Sequence, residues 1–197
     1  MRPGLGGEPS RHPRRRTSRQ RRSRRASPGR APRRVRPGVG VLNGVEVTVR
    51  PATRADVDFL TTVVIEATLH QGRLPDDFDE VDYRAGFGAW TAEQVDGDGA
   101  GSSISVVEVD GEPAGRLRVV RRGGLVEIAG LQLLPDHQSR GVGRTIVEGV
   151  VASARADGLP VELGVEKDNP RARAFWESCG FAYVGEDETE HRLRLAT

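Results

Sequence analysis

The chain has 197 residues, 36% of them hydrophobic and 29% charged, with a formal net charge of +2 that hides a division. Residues 1–40 carry 14 Arg and one Glu, and the rest carries 16 Lys plus Arg against 27 Asp plus Glu, so a basic tail of about +13 adjoins an acidic body of about −11. No run reaches the roughly 18 apolar residues of a membrane span, the N-terminus lacks the apolar core of a secretory signal, and the lone Cys179 excludes an internal disulfide. A cytoplasmic protein with no membrane partner is expected, its body long enough for one domain with a real core.

Residues 1–40 are Arg, Pro, Gly and Ser with almost no aliphatic residue before Val35, too little apolar surface to offset the entropy of ordering, so disorder is expected. Three roles stay open for this tail. Its arginines could neutralise phosphates and hold nucleic acid, although no aromatic residue is interleaved for base stacking. It could be an inert solubilising segment. It could also be a mis-assigned start: 29 Arg against one Lys, Lys167, points to a GC-rich coding sequence, and translation would then begin near Val39 or Val41. Dense Pro and Gly argue against a transit peptide.

From Gly44 the elements alternate. Residues 45–51 (VEVTVRP) alternate like a half-buried strand, and 53–69 begin with Thr53 as a cap and continue with apolar residues at helical spacing. An acidic, partly helical stretch over 75–95 and a glycine-rich loop follow. Residues 104–135 read as three strands in a meander, with turns at Asp110-Gly111 and Gly123-Gly124. A helix over 143–158, a strand over 160–167, a helix over 170–180 and a closing hairpin complete the body, giving a mixed α/β (α+β) architecture over 44–197.

The chemistry is concentrated where the third meander strand meets the next helix. Pro135 stops the ladder after Leu131 and Leu133, and Gly141 and Gly143 frame the first helical turn. Unpaired amides and the positive end of the helix dipole favour a phosphate there, glycines let it approach closely, and Arg140 and Arg144 add charge at the rim. The pattern is neither the dinucleotide fingerprint nor a P-loop, since only Gly-Val-Gly is present and no Gly-Lys-Ser/Thr follows. Taken alone, such a Gly-x-Gly is equally a structural turn.

Its surroundings decide. LQLLPDHQSRGVGRTIVEGV followed by VELGVEKDNPRARAFWESCGFAYVG resembles the GCN5-related N-acetyltransferase (GNAT) family, whose hallmark Gln/Arg-x-x-Gly-x-Gly/Ala is filled by Gln138, Gly141 and Gly143. Asn169, Ala172 and Gly180-Phe181 fall where the family has its next strand exit, helix and following strand. The resemblance covers roughly Val45 to Leu195. It implies a mixed, largely antiparallel sheet flanked by helices, with a V-shaped splay between strands 4 and 5 that takes acetyl-CoA as donor substrate, without a metal.

By the same resemblance, the main chain at Leu131 and Leu133 would hold the acetyl carbonyl and pantetheine, an added-strand mode of binding. The amides of Gln138, Ser139, Arg140, Gly141, Val142, Gly143 and Arg144 would cradle the pyrophosphate. Asn169 would bind pantetheine or structure the splay, and Phe175 and Trp176 would line the coenzyme wall or simply fill helix core. Glu127 is the candidate base: six residues before Leu133, it is placed by strand alternation on the same face, at the spacing of the base glutamate in the histone acetyltransferase branch. Its alternative is a strand Glu paired with a nearby Arg.

One position departs from the pattern. Many members have a Tyr four residues before the Gly of Gly-Phe, near the coenzyme sulfur; here it is Trp176, whose indole N–H cannot deliver a proton. Tyr83, Tyr183, Cys179 and His191 are conceivable replacements.

The acceptor would be an amine, and the cluster Asp76, Asp77, Asp79, Glu80 and Asp82 could draw a cationic one, or could be a solvated helix start. His70 is a further lining candidate or an ordinary exposed His. The sequence therefore implies an N-acetyltransferase acting on a small-molecule or protein amine, as monomer or homodimer. An acetyl-CoA sensor and a nucleic-acid-associated protein acting through its tail are the alternatives.

Overall fold

The computed structural model describes residues 40–42, 44–97 and 101–195. The expected basic tail lies outside the described residues except for Gly40, which begins a short strand.

Eight strands form one sheet: β1 (Gly40–Leu42), β2 (Val45–Pro51), β3 (Ser102–Val109), β4 (Glu112–Arg122), β5 (Leu125–Leu133), β6 (Val161–Glu166), β7 (Ala182–Glu186) and β8 (Glu190–Leu195). Their spatial order is β1-β2-β3-β4-β5-β6-β8-β7, and every pairing is antiparallel except β5 with β6. The helices are α1 (Val57–His70), α2 (Glu80–Asp96), α3 (Val142–Ala156) and α4 (Pro170–Ser178). The mixed, largely antiparallel sheet expected from sequence is therefore present, with one strand more than expected. β1 pairs Leu42 with Val45 across a turn with Gly44 at φ +87°, and three residues are too few to carry a periodic signal.

Turn chemistry sets the meander. Asp110 and Gly111 have φ +52° and +84°, and Gly123 and Gly124 have +57° and +79°, the doubly left-handed form that matches the twist of paired strands. α1 is entered through a short 3-10 turn, Arg54–Asp56, where the Asp56 carboxylate accepts from the Thr53 amide at 2.7 Å.

The sheet is covered on both faces. On one, Leu117, Val119, Val126 and Ile128 pack with Val142, Ile146 and Val150 of α3 and with Trp176 of α4. On the other, Leu60 of α1 packs on Ile104 and Val106, with Trp90 of α2 against them. These layers hold β5 and β6 so that their separation has two walls.

That separation is the feature that positions the site. β5 and β6 pair only at Val126 with Val161 and Glu127 with Glu162, after which β6 stays with β8 and β5 stays with β4. The expected splay between the fourth and fifth strands is thus found between β5 and β6, β1 having shifted the count by one.

Candidate functional site

A β-bulge governs which side chains reach the splay. Along the β4–β5 ladder Arg118 pairs with Gly130 and Val119 with Ile128, leaving Ala129 as the extra residue of β5. Strand alternation reverses across such a residue. Val126 and Ile128 before it, and Leu131 and Leu133 after it, consequently all belong to the α3–α4 side, whereas Glu127, Gly130 and Gln132 belong to the α1–α2 side. The expectation that Glu127 shares a face with Leu133 is therefore wrong, because counting by twos runs straight through the bulge.

The open edge of β5 carries free main-chain groups. The Leu134 amide donates to Ala114 O of β4 at 2.9 Å, so by alternation the main-chain groups of Leu131 and Leu133 point away from β4, toward the splay. The Leu133 carbonyl accepts from Gln138 Nε2 at 2.9 Å, and this bond folds the turn after Pro135 back onto the strand end. Gln138 thus acts as a clasp as well as a contributor of its amide.

The turn then delivers a helix N-terminus to the same point. Ser139 and Gly141 both adopt left-handed backbone, φ +58° and +87°, and Gly141 is the N-cap of α3 with no side chain capping it. The first amides of α3, at Val142, Gly143 and Arg144, have no intrahelical acceptor and face outward with the positive end of the dipole. A non-glycine residue held left-handed at Ser139 is backbone strain of the kind that collects at ligand clamps. A Cβ on Gly143 would stand 3.2 Å from the Phe175 ring, and one on Gly141 would stand 2.8 Å from Leu42 of β1. The glycines keep the cradle open on one side and packed on the other.

These parts border one cavity of about 360 Å³. β5 contributes Leu131, Gln132 and Leu133, and the turn and α3 contribute Gln138, Ser139, Gly141, Gly143 and Arg144. α4 contributes Arg171, Ala172, Phe175 and Trp176, and α1 contributes Ala67 and the following Gln71. Nine of the twelve residues expected to hold a coenzyme are brought together here; Arg140, Val142 and Asn169 are not in its lining. Arg140 is exposed, and the Val142 side chain is core, leaving only its amide for the cradle.

Asn169 has a structural part. Its side chain caps α4 by accepting from the Ala172 amide at 3.0 Å, and its Nδ2 donates to the cavity-lining Gln71 at 3.2 Å, joining α4 to the end of α1. Arg73 makes a second strap, to Glu166 at 2.6 Å and Asp168 at 2.7 Å. Arg144 is held by Ser178 through its carbonyl and hydroxyl, at 3.1 and 3.0 Å. Arg171, which sequence reasoning passed over, reaches Ser139 Oγ at 3.5 Å and adds a cation at the cradle; its place two residues into the helix that follows Asn169 was the available signal.

Trp176 lines the cavity and is also core: 8% exposed, with edge-on contacts to Phe175 and Phe181 at 5.0 and 5.5 Å between ring centres. Tyr83, Tyr183, Cys179 and His191 do not border the cavity. Burial pushes both the Tyr83 hydroxyl and the Cys179 thiol up, which makes each a weaker acid than usual. His70 is exposed at the end of α1.

On the α1–α2 side, Glu127 is mostly buried and paired with Arg122 at 2.5 Å, as the bland alternative anticipated. A second carboxylate missed from sequence, Glu190 of β8, lies over Gly164; burial chiefly, helped by Asp187, Glu166 and Glu127, raises its pKa against the pull of Arg192. The acidic cluster has local work instead: Asp79 caps α2 by accepting from the Asp82 amide at 3.0 Å, and Glu80 pairs with Arg84 at 2.8 Å. Asp76 and Asp77 are exposed.

Residues 67–181, more than half of the chain, match the acetyltransferase (GNAT) family. The chain belongs to that family. Its fold is similar to the PaiA N-acetyltransferase of Thermoplasma acidophilum in complex with coenzyme A, with 15% identity, 77% of this chain and 99% of that one covered, and a TM-score of 0.67. An acetyltransferase of Thermus thermophilus is similar at 22% identity, covering 77% and 97% of the two chains, TM-score 0.60. YncA of Salmonella typhimurium, solved with its cofactor acetyl-CoA, is similar at 24% identity, covering 76% and 93%, TM-score 0.52. At these identities the likeness is one of fold. No functionally curated protein matches the chain in sequence.

Proposed function

We propose that this GNAT protein transfers an acetyl group from acetyl-CoA directly to a primary amine of a small molecule or a protein. The observation that carries the reading is the convergence on one cavity of the open β5 edge at Leu131 and at the Leu133 amide with the uncapped α3 N-terminus at Gly141–Arg144. A slim, amide-rich arm ending in a pyrophosphate fits that combination: an open strand edge offers paired donors and acceptors, and a helix N-terminus offers amides and positive potential. Arg144 and Arg171 add charge where an anion would sit.

Bound acetyl-CoA supplies an acyl group activated as a thioester. The chain must then provide for a neutral amine, an acyl oxygen that gains negative charge, and a proton for the departing sulfur. The amine nitrogen forms the C–N bond as the C–S bond breaks, one proton leaving nitrogen and one reaching sulfur. In this reading an open-edge amide of β5 donates to the acyl oxygen as it gains charge. Glu127 takes the amine proton, directly or through water, from the acceptor side of the sheet. Trp176 can orient the sulfur by hydrogen bonding, and water is the proton source for the thiolate.

The test is calorimetric titration of acetyl-CoA and of CoA into the full chain, followed by a thiol-release screen over amines. Binding with release supports the enzyme. Binding without release over a broad panel turns the reading toward a protein acceptor or a sensor. A folded protein that binds neither ligand overturns it.

A further inference from the structure

The α1–α2 face of the sheet holds a charge for which the described residues provide no counter-charge. Arg116 of β4 is 4% exposed, and among the described residues it has no carboxylate partner. Among the described residues its side chain makes one hydrogen bond, from Nη1 to Gln132 Oε1 at 3.0 Å, and its buried Nε finds no acceptor there. The charge that bears on it most is a like one, Arg118, whose Nε is likewise buried and has no partner among the described residues. Burial, and then Arg118, pull the Arg116 guanidinium down to about 10, which leaves it protonated at neutral pH.

Aromatic rings occupy the space where an acid would be expected. The Phe87 and Trp90 ring centres lie 5.4 and 5.9 Å from Arg116 Cζ, and Trp90 lies 5.2 Å from Arg118 Cζ. Ring faces return part of the lost hydration but carry no net charge. A buried charge without a counter-ion is costly, and a like charge beside it adds to the cost; Arg118 is only half-buried and feels the Glu127 carboxylate, so the unmet charge is that of Arg116. Such an arrangement is accounted for when a ligand brings the missing negative charge.

Its position says which ligand. Gln132, the partner of Arg116, borders the cavity beside Leu131, so the guanidinium stands one hydrogen bond from the lining of the proposed coenzyme site. Because of the bulge at Ala129, Glu127 lies on this same face, and Glu190 follows farther across it. The unmet positive charge is thus at Arg116, while the carboxylates beyond it are held by arginines of their own, Glu127 by Arg122 and Glu190 by Arg192. A molecule whose negative end meets Arg116 and whose amine reaches toward Glu127 suits that order.

We propose that Arg116, with Arg118 beside it, binds a carboxylate of the acceptor, so that the acetylated amine belongs to a carboxylate-bearing, amino-acid-like molecule bound on the α1–α2 face of the sheet beside Gln132. Arginine suits the role because its planar fork matches a carboxylate. The inference rests on the acetyltransferase reading above and deepens it by naming the acceptor class. It sets aside a polycationic acceptor, since the acids over 76–82 are turned to solvent or to helix capping.

Thiol release from acetyl-CoA by the full chain is compared over the free proteinogenic amino acids, their α-amides and the corresponding decarboxylated amines. At least one free acid is expected to exceed its amide and its amine by about tenfold or more in kcat/KM, and Arg116→Gln to lower kcat/KM for that acid about thirtyfold, chiefly through KM. The decarboxylated amine should change by no more than about threefold in the same variant, with Arg116→Lys intermediate for the acid. Equal loss for every amine, with acetyl-CoA binding intact, makes Arg116 merely structural and overturns the inference, as does equal or better use of amides and amines by the wild type. Should no amine turn over, the free acids are titrated into CoA-saturated protein. Saturable binding weakened by Arg116→Gln supports the proposal, and no binding up to about 10 mM overturns it. Failure to bind acetyl-CoA overturns the donor reading and this inference together.

Discussion

Glu127 and Leu133 lie on one strand, six residues apart, and face opposite sides of the sheet because Ala129 bulges between them. This separates the two halves of the proposed reaction: β5 offers its open edge to the donor and the Glu127 carboxylate to the acceptor. Glu127→Gln is expected to lower kcat by about 10²–10³-fold while leaving acetyl-CoA affinity within about a factor of two, measured by steady-state kinetics and calorimetry. Arg122→Gln is the control. Its guanidinium is 67% exposed, so loss of the pair costs at most about 1 kcal/mol, and an equal drop in kcat there would reduce Glu127 to a positioned ion-pair member.

The two cradle glycines should fail differently. Gly143→Ala places a methyl 3.2 Å from the tip of Phe175, at the floor of the cavity, and is expected to weaken acetyl-CoA about tenfold with little change in Tm. Gly141→Ala meets Leu42 at 2.8 Å and forces φ +87° on a residue with a side chain, a strain of about 1–2 kcal/mol that should appear first as lost stability in thermal unfolding. Identical effects of the two changes would mean that the turn is not a cradle with distinct sides.

The junction and the meander are legible in the sequence because their signals are local. Asp110-Gly111 and Gly123-Gly124 demand left-handed backbone, and Gln138, Gly141 and Gly143 form a spaced pattern at a strand end. The bulge is not legible, since Ala129-Gly130 inside an apolar run keeps its composition while its parity reverses. Arg116 and Arg118 are hidden for a related reason: in RLRVV they read as the solvated face of an alternating strand, and only the packing of α2 against that face buries Arg116 and half-buries Arg118. The acids over 76–82 read from sequence either as a draw for a cation or as a helix start, and Asp79, which caps α2, shows the second use.

Entry into α1 should be acid-sensitive. The Asp56 carboxyl is held well below the usual carboxylate range, first by hydrogen bonds from Arg50 at 2.9 and 2.8 Å, then by the Thr53 amide and hydroxyl. A folded-state pKa below the unfolded value of about 3.9 contributes stability that is present above that pH and is lost as pH falls toward the folded value. Asp56→Asn keeps a helix cap but loses the charge, and should cost about 1–2 kcal/mol at pH 7 after allowance for the half-exposed Arg50. In chemical denaturation the gap between wild type and variant should close below about pH 4. A gap that persists in acid would assign the effect to packing.

Trp176 is asked to do two things that a substitution can separate. As core, it touches Phe175 and Phe181 edge-on, and Trp176→Ala should cost about 3–5 kcal/mol in denaturant titration. As cavity wall, it stands where its relatives' tyrosine would donate a proton, and its indole cannot. Trp176→Tyr keeps an aromatic body at smaller cost and adds a titratable hydroxyl on the cavity side. If protonation of the departing thiolate limits turnover, kcat at and below neutral pH should rise in this variant with acetyl-CoA affinity unchanged. An unchanged kcat, alongside a normal Tm, would mean that water already delivers that proton fast enough and that Trp176 serves the site only as a wall.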